Sequence, residues 1–407
     1  MADETVKTER VRNVPLYWLW FSLLPGLSAA KKRIILAQFK DPEEIYRTED
    51  YSYRENITLE MAEALKNKDL TEATRVLRAC SQKRIGILAF TDTGYPSRLR
   101  NIDDPPLVLF YKGILPDFET QPVIGVVGTR KATGYGLTQA RSLAQQVTAC
   151  GGLVVSGGAA GVDTFALRGA MEAGGQTVAV LGCGVDVVYP KSNKNLFDRI
   201  EECGCLISEY IPGTEPYAWQ FPRRNRIISG MSNGILVVEA PEKSGALITA
   251  TEAMKQGRDI FVIPCNIDIP TGQGSNALMR EGAIPVFSGW DVLKDYQPRY
   301  PDSVSQREPV VIRRICEDMP NVAQPVSRPA KKSIDNPETT PYSVLDDMDD
   351  SLTPEEREIL GLLSPEPCPV DVVIAQLDMP AAQVLQILTS LSLRGIVKNH
   401  PGRLVSV

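Results

Sequence analysis

The sequence predicts an α/β protein built around a largely parallel, doubly wound sheet, and three observations carry that prediction. Short apolar runs alternate with stretches of helical periodicity through the middle of the chain, as strands buried on both faces and their connecting helices do. Glycine-rich turns follow consecutive runs directly. The composition, 43% hydrophobic and 23% charged over 407 residues, is that of an ordinary globular protein with apolar side chains enough for sizeable cores.

At about 150 residues per domain the length calls for two or three domains, and the composition shifts mark three and a linker. Residues 1–82 are expected to form a small helical domain, 83–297 an extended α/β domain, 298–350 a flexible linker and 351–407 a winged helix. In the first, Leu23-Leu24-Pro25-Gly26-Leu27-Ser28 sets a tight turn between two apolar helical stretches, a helix-hairpin-helix (SAM-like) pattern. Lys31, Lys32 and Arg33 beside the turn offer either charge for a phosphate or a solvated basic face. The apolar run from Pro15 to Leu27 is broken by Pro25 and falls short of the roughly 20 residues a membrane span needs. No signal-peptide pattern is present, so a cytoplasmic protein without a membrane span is expected.

From Ile85 to Gly113 the chain reads as extended segments bridging to the core. The core strands are expected at Ile124–Val127, Leu153–Ser156, Thr177–Leu181, Leu206–Glu209, Ile235–Glu239, Ile260–Ile263 and Ile284–Phe287, with helices such as Leu137–Val147 and Leu247–Lys255 between them. That order is Rossmann-like. Eight prolines between Pro298 and Pro341 and the acidic run 346–350 give the linker its character. Thr353-Pro354-Glu355-Glu356 then opens a helix with a capping box. Three helices, with Pro380–Arg394 in the recognition position, precede a strand, turn and strand.

Charge narrows the function. The net charge of −6, and a count of sixteen Lys plus Arg against sixteen Asp plus Glu over residues 122–299, argue against a wholly polycationic nucleic-acid binder; any such site is a local patch. The eight cysteines lack paired Cys-x2-Cys spacing, so no metal site is expected, and Cys203-Gly-Cys205 reads as packing before redox chemistry. The lone histidine, His400, sits in the wing, which excludes His-based acid/base chemistry in the core. Asp163 and Glu239 have capping and ion-pairing roles open to them in place of catalysis, and no catalytic residue is assigned.

Ligands of open α/β sheets bind at the carboxyl ends of the strands, where loop amides and helix dipoles favour anions. Gly128-Thr129-Arg130 follows the first core strand, and Gly134-Tyr135-Gly136 opens the next helix. Ser156-Gly157-Gly158-Ala-Ala-Gly161-Val-Asp163 follows the second and could form a backbone nest for an anion. Neither loop is a Walker A motif or a full dinucleotide fingerprint, so no nucleotide cofactor is implied. Lys191 follows the third strand, and Phe221-Pro-Arg223-Arg224-Asn225-Arg226 stands at a helix start. Its three arginines can grip phosphates or pair with Glu209 and Glu239; helical spacing keeps them from all facing one groove, so at least one supports the fold. Phe221 and Tyr135 can stack on bases or pack in the core. Ser244-Gly245 is placed to cap a helix or contact an anion.

Taken together, Gly128-Thr-Arg130, the 156–163 loop, Tyr189-Pro190, Ser208-Glu209, the 221–226 cluster and Ser244-Gly-Ala-Leu-Ile-Thr249 resemble the DNA-processing protein A (DprA/Smf) family over residues 85–293. The resemblance implies binding of single-stranded DNA, protection of incoming strands, loading of the RecA recombinase in natural transformation, and homodimers formed through the Rossmann-like domain. It carries Arg130, Lys191 and Lys255 over as DNA contacts. The winged helix departs from a duplex reader: it holds four Lys plus Arg against six Asp plus Glu, and its recognition helix offers only Arg394. A protein-contact or weak duplex role is expected there. A nucleoside-monophosphate glycosidase on a related fold and a winged-helix transcription regulator are the competing readings; the first lacks its Pro-Gly-Gly-x-Gly-Thr-x-x-Glu motif.

Overall fold

The computed structural model describes residues 15–52, 54–307, 353–363, 368–375, 377, 379, 381–393, 396–400 and 404–406. Of the linker expectation, 308–350 lies outside the described residues, as do Arg394 and Arg403. Contacts divide the chain into two units, 1–317 and 318–407.

In the first unit five helices come first: α1 (15–23), α2 (Ala29–Leu36), α3 (Pro42–Arg47), α4 (Leu59–Leu65) and α5 (Thr71–Lys83). The α1–α2 turn uses the left-handed backbone of Gly26 (φ 77°), and Ser28 caps α2 by accepting the Lys31 amide. Trp18, Leu19, Trp20 and Phe21 of α1 are buried with Ile35, Ile45, Leu65 and Val76, and the same cluster takes in Val108 and Phe110 of the sheet. The helices therefore cover one end of the sheet instead of standing apart. Lys31 pairs with Glu60 (2.6 Å), Arg33 donates to the Asp103 carbonyl (2.6 Å), and Lys32 turns inward to the Ser22 carbonyl (2.6 Å). Of the basic run, Lys32 is thus buried while Arg33 stays exposed.

The sheet has nine strands: β1 (Gly86–Ala89), β2 (Val108–Gly113), β3 (Val123–Val127), β4 (Leu153–Ser156), β5 (Thr177–Val180), β6 (Cys205–Ser208), β7 (Gly234–Val237), β8 (Asp259–Val262) and β9 (Ile284–Pro285), ordered 1-2-6-5-4-3-7-8-9. From β6 to β9 every pairing is parallel; β2 joins β6 antiparallel, and β1 joins β2 antiparallel. Strand order reverses at β3, which pairs with β4 on one side and β7 on the other. All five residues of β3 are buried, and so are all of β4, β5 and β7, which is why they read as unbroken apolar runs.

Helices α6 (Ser97–Arg100), α7 (Gly134–Ala149), α8 (Val162–Glu172), α9 (Lys194–Cys203), α10 (Gln220–Met231), α11 (Gly245–Lys255), α12 (Gln273–Arg280) and α13 (Gly289–Leu293) follow in chain order. Alternate residues divide the two faces. Ile124 and Val126 pack with Leu143, Val147 and Ala166 of α7 and α8, whereas Val123 and Val127 pack with Ile228, Met231 and Ala250 of α10 and α11. Tyr300 and Val304 are buried against the α7 face, so the packed chain runs on past 297. At the far end β9 is two exposed residues long, and Phe287 beyond it is 78% exposed.

In the second unit Thr353 and Glu356 form the reciprocal capping box on α14 (Pro354–Leu362). β10 (Cys368–Pro369), α15 (Val370–Ala375) and α16 (Ala381–Leu393) follow, and β12 (Leu404–Ser406) lies between β10 and β11 (Lys398–His400). Ile359, Val373, Val384, Leu388 and Val405 form its core, and α16 carries no charged residue. No helix among the described residues is long and apolar enough to cross a membrane.

Candidate nucleic-acid interface

The reversal at β3 opens a crevice at the carboxyl ends of β3 and β7, and a cleft of about 650 Å³ occupies it. The loop after β3 forms one wall because Glu239, buried after β7, holds it from behind. Its carboxylate accepts the Thr133 amide (3.2 Å) and hydroxyl (2.8 Å), and its carbonyl accepts the Thr129 amide (2.7 Å). Thr133 in turn caps α7 by accepting the Gly136 amide. Gly136 is small for packing, since a Cβ there would stand 2.0 Å from Glu239, and Gly128 abuts Val162 in the same way. Gly134 is exposed. What the loop leaves in solvent is Arg130 and Lys131.

The loop after β4 departs from the anion nest its sequence suggests. The amides of Gly157 and Ala159 donate to Asp163 Oδ2 (3.1 and 3.3 Å), so the chain's own carboxylate fills the nest. The Ser156 hydroxyl donates to the Val126 carbonyl (2.7 Å) and is buried, unavailable to a ligand. Asn193 donates to the Gly158 carbonyl (3.0 Å), and buried Arg224 donates to the carbonyls of Gly157 (2.6 Å) and Val180. Gly158 (φ 65°) and Gly161 (φ 80°) supply the left-handed backbone this fold-back needs.

The 221–226 arginines separate as helical phase requires. Arg224 points beneath the loop, and Arg226 is buried between Glu209 (2.7 Å) and Asp104 (3.1 Å). Arg223 is half-exposed and faces a different groove. Of the cluster, Phe221, Pro222, Arg224 and Asn225 line the cleft. The Arg130 guanidinium lies 5.3 Å from the centre of the Phe221 ring, and the Tyr189 ring 5.4 Å from it, which gives the cleft an aromatic floor below a cation.

Ser244 caps α11 by accepting the Ala246 amide (3.2 Å), and Gly245 beside it is exposed on the rim. Tyr135 is half-exposed outside the cleft, its hydroxyl on the Pro264 carbonyl (3.3 Å). Lys191, just beyond Tyr189-Pro190, is exposed but does not line the cleft. Lys255 ends α11, ten residues and so about 15 Å from Gly245, and pairs with Glu252 (2.8 Å). The structure does not bring Lys255 to Arg130.

Sequence reasoning missed Lys131 and Lys243, which line the cleft and are exposed. Among the described residues Arg130, Lys131 and Lys243 form no ion pair, so the rim keeps three uncompensated cations. It also missed the segment after β6, where Pro216 and Ala218 line the cleft while Tyr217 (56%) and Trp219 (61%) are exposed. Two large aromatics in a stretch with neither helix nor strand period were the available signal.

Burial pushes the Asp163 carboxyl up to about 6, against the pull of Arg224 and the two amides. The folded state then binds a proton that an unfolded carboxyl near 3.8 does not, so this group's contribution to stability increases as pH falls from about 7 to about 4. A carboxyl carbon NMR titration is expected to place the Asp163 midpoint near 6; a midpoint below 4 would show that the amides and Arg224 outweigh burial. Burial likewise raises the Cys205 thiol, and the seven cysteines among the described residues are free. No cluster of His, Cys, Asp and Glu among the described residues could hold a metal ion.

Comparison with known proteins matches residues 86–297 to the DNA recombination-mediator protein A family and residues 346–403 to the DprA winged helix domain. The Smf protein of Synechocystis sp. is 32% identical over 395 residues, 95% of this chain and 97% of that one. The DNA processing protein DprA of Streptococcus pneumoniae is 44% identical over 211 residues, 51% of this chain and 72% of that one. The X-ray structure of the Streptococcus pneumoniae DNA processing protein A superposes with a TM-score of 0.56 at 33% identity, covering 70% of this chain and 97% of that chain.

Proposed function

The chain belongs to the DNA recombination-mediator protein A (DprA/Smf) family, and from that membership we propose that its cleft at the β3–β7 crevice grips the backbone of single-stranded DNA. The observation that carries the reading is the unpaired cationic rim of Arg130, Lys131 and Lys243 over the Phe221–Tyr189 aromatic floor. Phosphates meet the rim, with Arg130 the directed contact. Only unstacked bases can lay a ring face on such a floor, which favours a single strand over a duplex. Thr129 and Gly245 shape the rim, Lys191 extends its positive field from outside, and Ser156, Gly157, Gly158, Arg224 and Arg226 act through the fold.

Family membership supports the remainder of the reading: a cytoplasmic homodimer that protects incoming strands and loads the RecA recombinase. It also supports the division into a helical domain, an extended Rossmann-like domain, a linker and a winged helix. We read the cleft as binding without turnover, because Asp163 and Glu239 are both engaged in holding loops.

The test is anisotropy with a labelled single strand of about 30 nucleotides and with its duplex, across salt concentrations. Wild type is expected to prefer the single strand, with affinity falling as salt rises. Arg130→Ala is expected to weaken single-strand binding about 10- to 100-fold, the loss of one charge-assisted contact of roughly 1.5–3 kcal/mol. Binding that ignores Arg130, or that shows no preference for the single strand, would overturn the assignment.

A further inference from the structure

A second groove, of about 590 Å³, lies between the α1–α2 turn and the ends of β2 and β6. Leu27, Leu107, Val108, Phe110 and Tyr210 make its walls largely apolar, yet Lys32 and Arg223 also line it. Lys32 is only 8% exposed, its ammonium makes one hydrogen bond, to the Ser22 carbonyl, and among the described residues it has no ion pair. A buried ammonium without a carboxylate is costly unless something anionic completes it.

The charges around it do not complete it. Buried Arg226 engages Asp104 and Glu209 Oε1, while Glu209 Oε2 accepts no hydrogen bond and faces Arg223 at 3.7 Å, an ion pair without a hydrogen bond. Lys32, Arg223 and Arg226 against Glu209 and Asp104 leave one positive charge in surplus. Burial, with Arg223 facing it, outweighs the pull of Glu209 and brings the Lys32 ammonium down to about 8. The groove also borders the central cleft: Phe221 and Pro222 line the cleft, and Arg223, next in the chain, lines the groove.

We propose that this groove seats one nucleotide of the strand held in the central cleft, its phosphate between Lys32 and Arg223 and its base against Tyr210 and the apolar wall. A phosphodiester supplies the single negative charge the groove lacks, and a base supplies the flat apolar surface its walls fit. The inference rests on the single-strand reading of the cleft and extends its path past Arg223 toward the helical end of the molecule.

The test uses the full chain and oligothymidylates from about 6 to about 30 nucleotides, with Lys32→Met, Arg223→Gln and Arg130→Ala. Lys32→Met exchanges a buried ammonium for an apolar chain of similar length, so the fold is expected to hold; half-exposed Arg223→Gln tests the same phosphate if it does not. Lys32→Met is expected to leave the shortest bound strand within about twofold of wild type and to weaken the longest about three- to tenfold, with a salt slope shallower by about one. Arg223→Gln is expected to weaken the longest strands to a similar degree. Ultraviolet crosslinking of the long strand is expected to label the peptide carrying Tyr210. Long-strand binding unchanged in both variants, with crosslinks confined to Tyr189 and Phe221, would overturn the proposal while the cleft reading stands. Binding indifferent to Arg130 would remove the cleft reading and this one with it.

Discussion

Arg224→Met is expected to cost about 3–5 kcal/mol of stability, since each buried carbonyl left without its donor costs roughly 1–3 kcal/mol and a buried carboxylate loses a nearby cation. The side chain is 4% exposed and ties the Gly157 and Val180 carbonyls together beside Asp163. Methionine fills part of the volume but leaves two carbonyls without their donor and the Asp163 carboxylate without its nearby cation. Burial also draws the guanidinium down to about 10, so it already bears the cost of desolvation that its contacts offset. Urea unfolding would read the loss. Adding Asp163→Asn is expected to recover part of it, because the two side chains act as one unit. A variant with wild-type stability and lost DNA affinity would instead make Arg224 a direct ligand.

Gly161→Ala is expected to reduce single-strand affinity at least as much as Arg130→Ala, although residue 161 need touch no nucleotide. Gly161 sits at φ 80° and ψ −131°, where an L side chain is strained by about 1–3 kcal/mol. A Cβ there would also stand 2.5 Å from the Thr129 carbonyl and 2.8 Å from the Arg130 Cα, both backbone atoms. Relief therefore moves the segment that presents Arg130. Gly174→Ala provides the control: φ is 76°, but nothing lies within 4 Å of the added carbon. It is expected to lower the melting temperature and leave anisotropy titrations unchanged. Equal binding by the two variants and wild type would uncouple the β4 loop from the site.

The order of the core strands along the chain was legible because strands buried on both faces must be apolar throughout; each expected run from Ile124 to Ile263 overlaps a strand, with ends shifted by a residue or two, and the run at Ile284 overlaps one that is exposed. The position of the site at the strand ends was legible too, since glycine loops after consecutive strands mark that edge. The partner each donor chose was not. The β4 loop looked like a nest for a foreign anion, and only three-dimensional proximity shows Asp163 already inside it. Arg223, Arg224 and Arg226 are alike in one dimension, and helical phase decided which faced a groove, a loop or an ion pair. Lys255 ends the helix that Ser244 caps, and the helix's length carries it from the carboxyl ends of the strands toward their amino ends. Lys31 to Arg33 read as one basic face, but Lys32 turns inward to the Ser22 carbonyl while Arg33 stays exposed, a difference one dimension does not show.

The brevity of β9 has a consequence for how copies of this molecule can meet. A sheet that stops after Ile284 and Pro285, one of them without an amide hydrogen, presents almost no ladder for a foreign strand to extend. Growth by strand addition, the route to fibres, is closed at that edge. A second copy docking there would have to be held by side chains such as Ile284 and Phe287, whose attraction comes from shedding water. Such a union strengthens on warming and loosens in the cold, opposite to one held by hydrogen bonds, and sedimentation across that temperature range would read the sign.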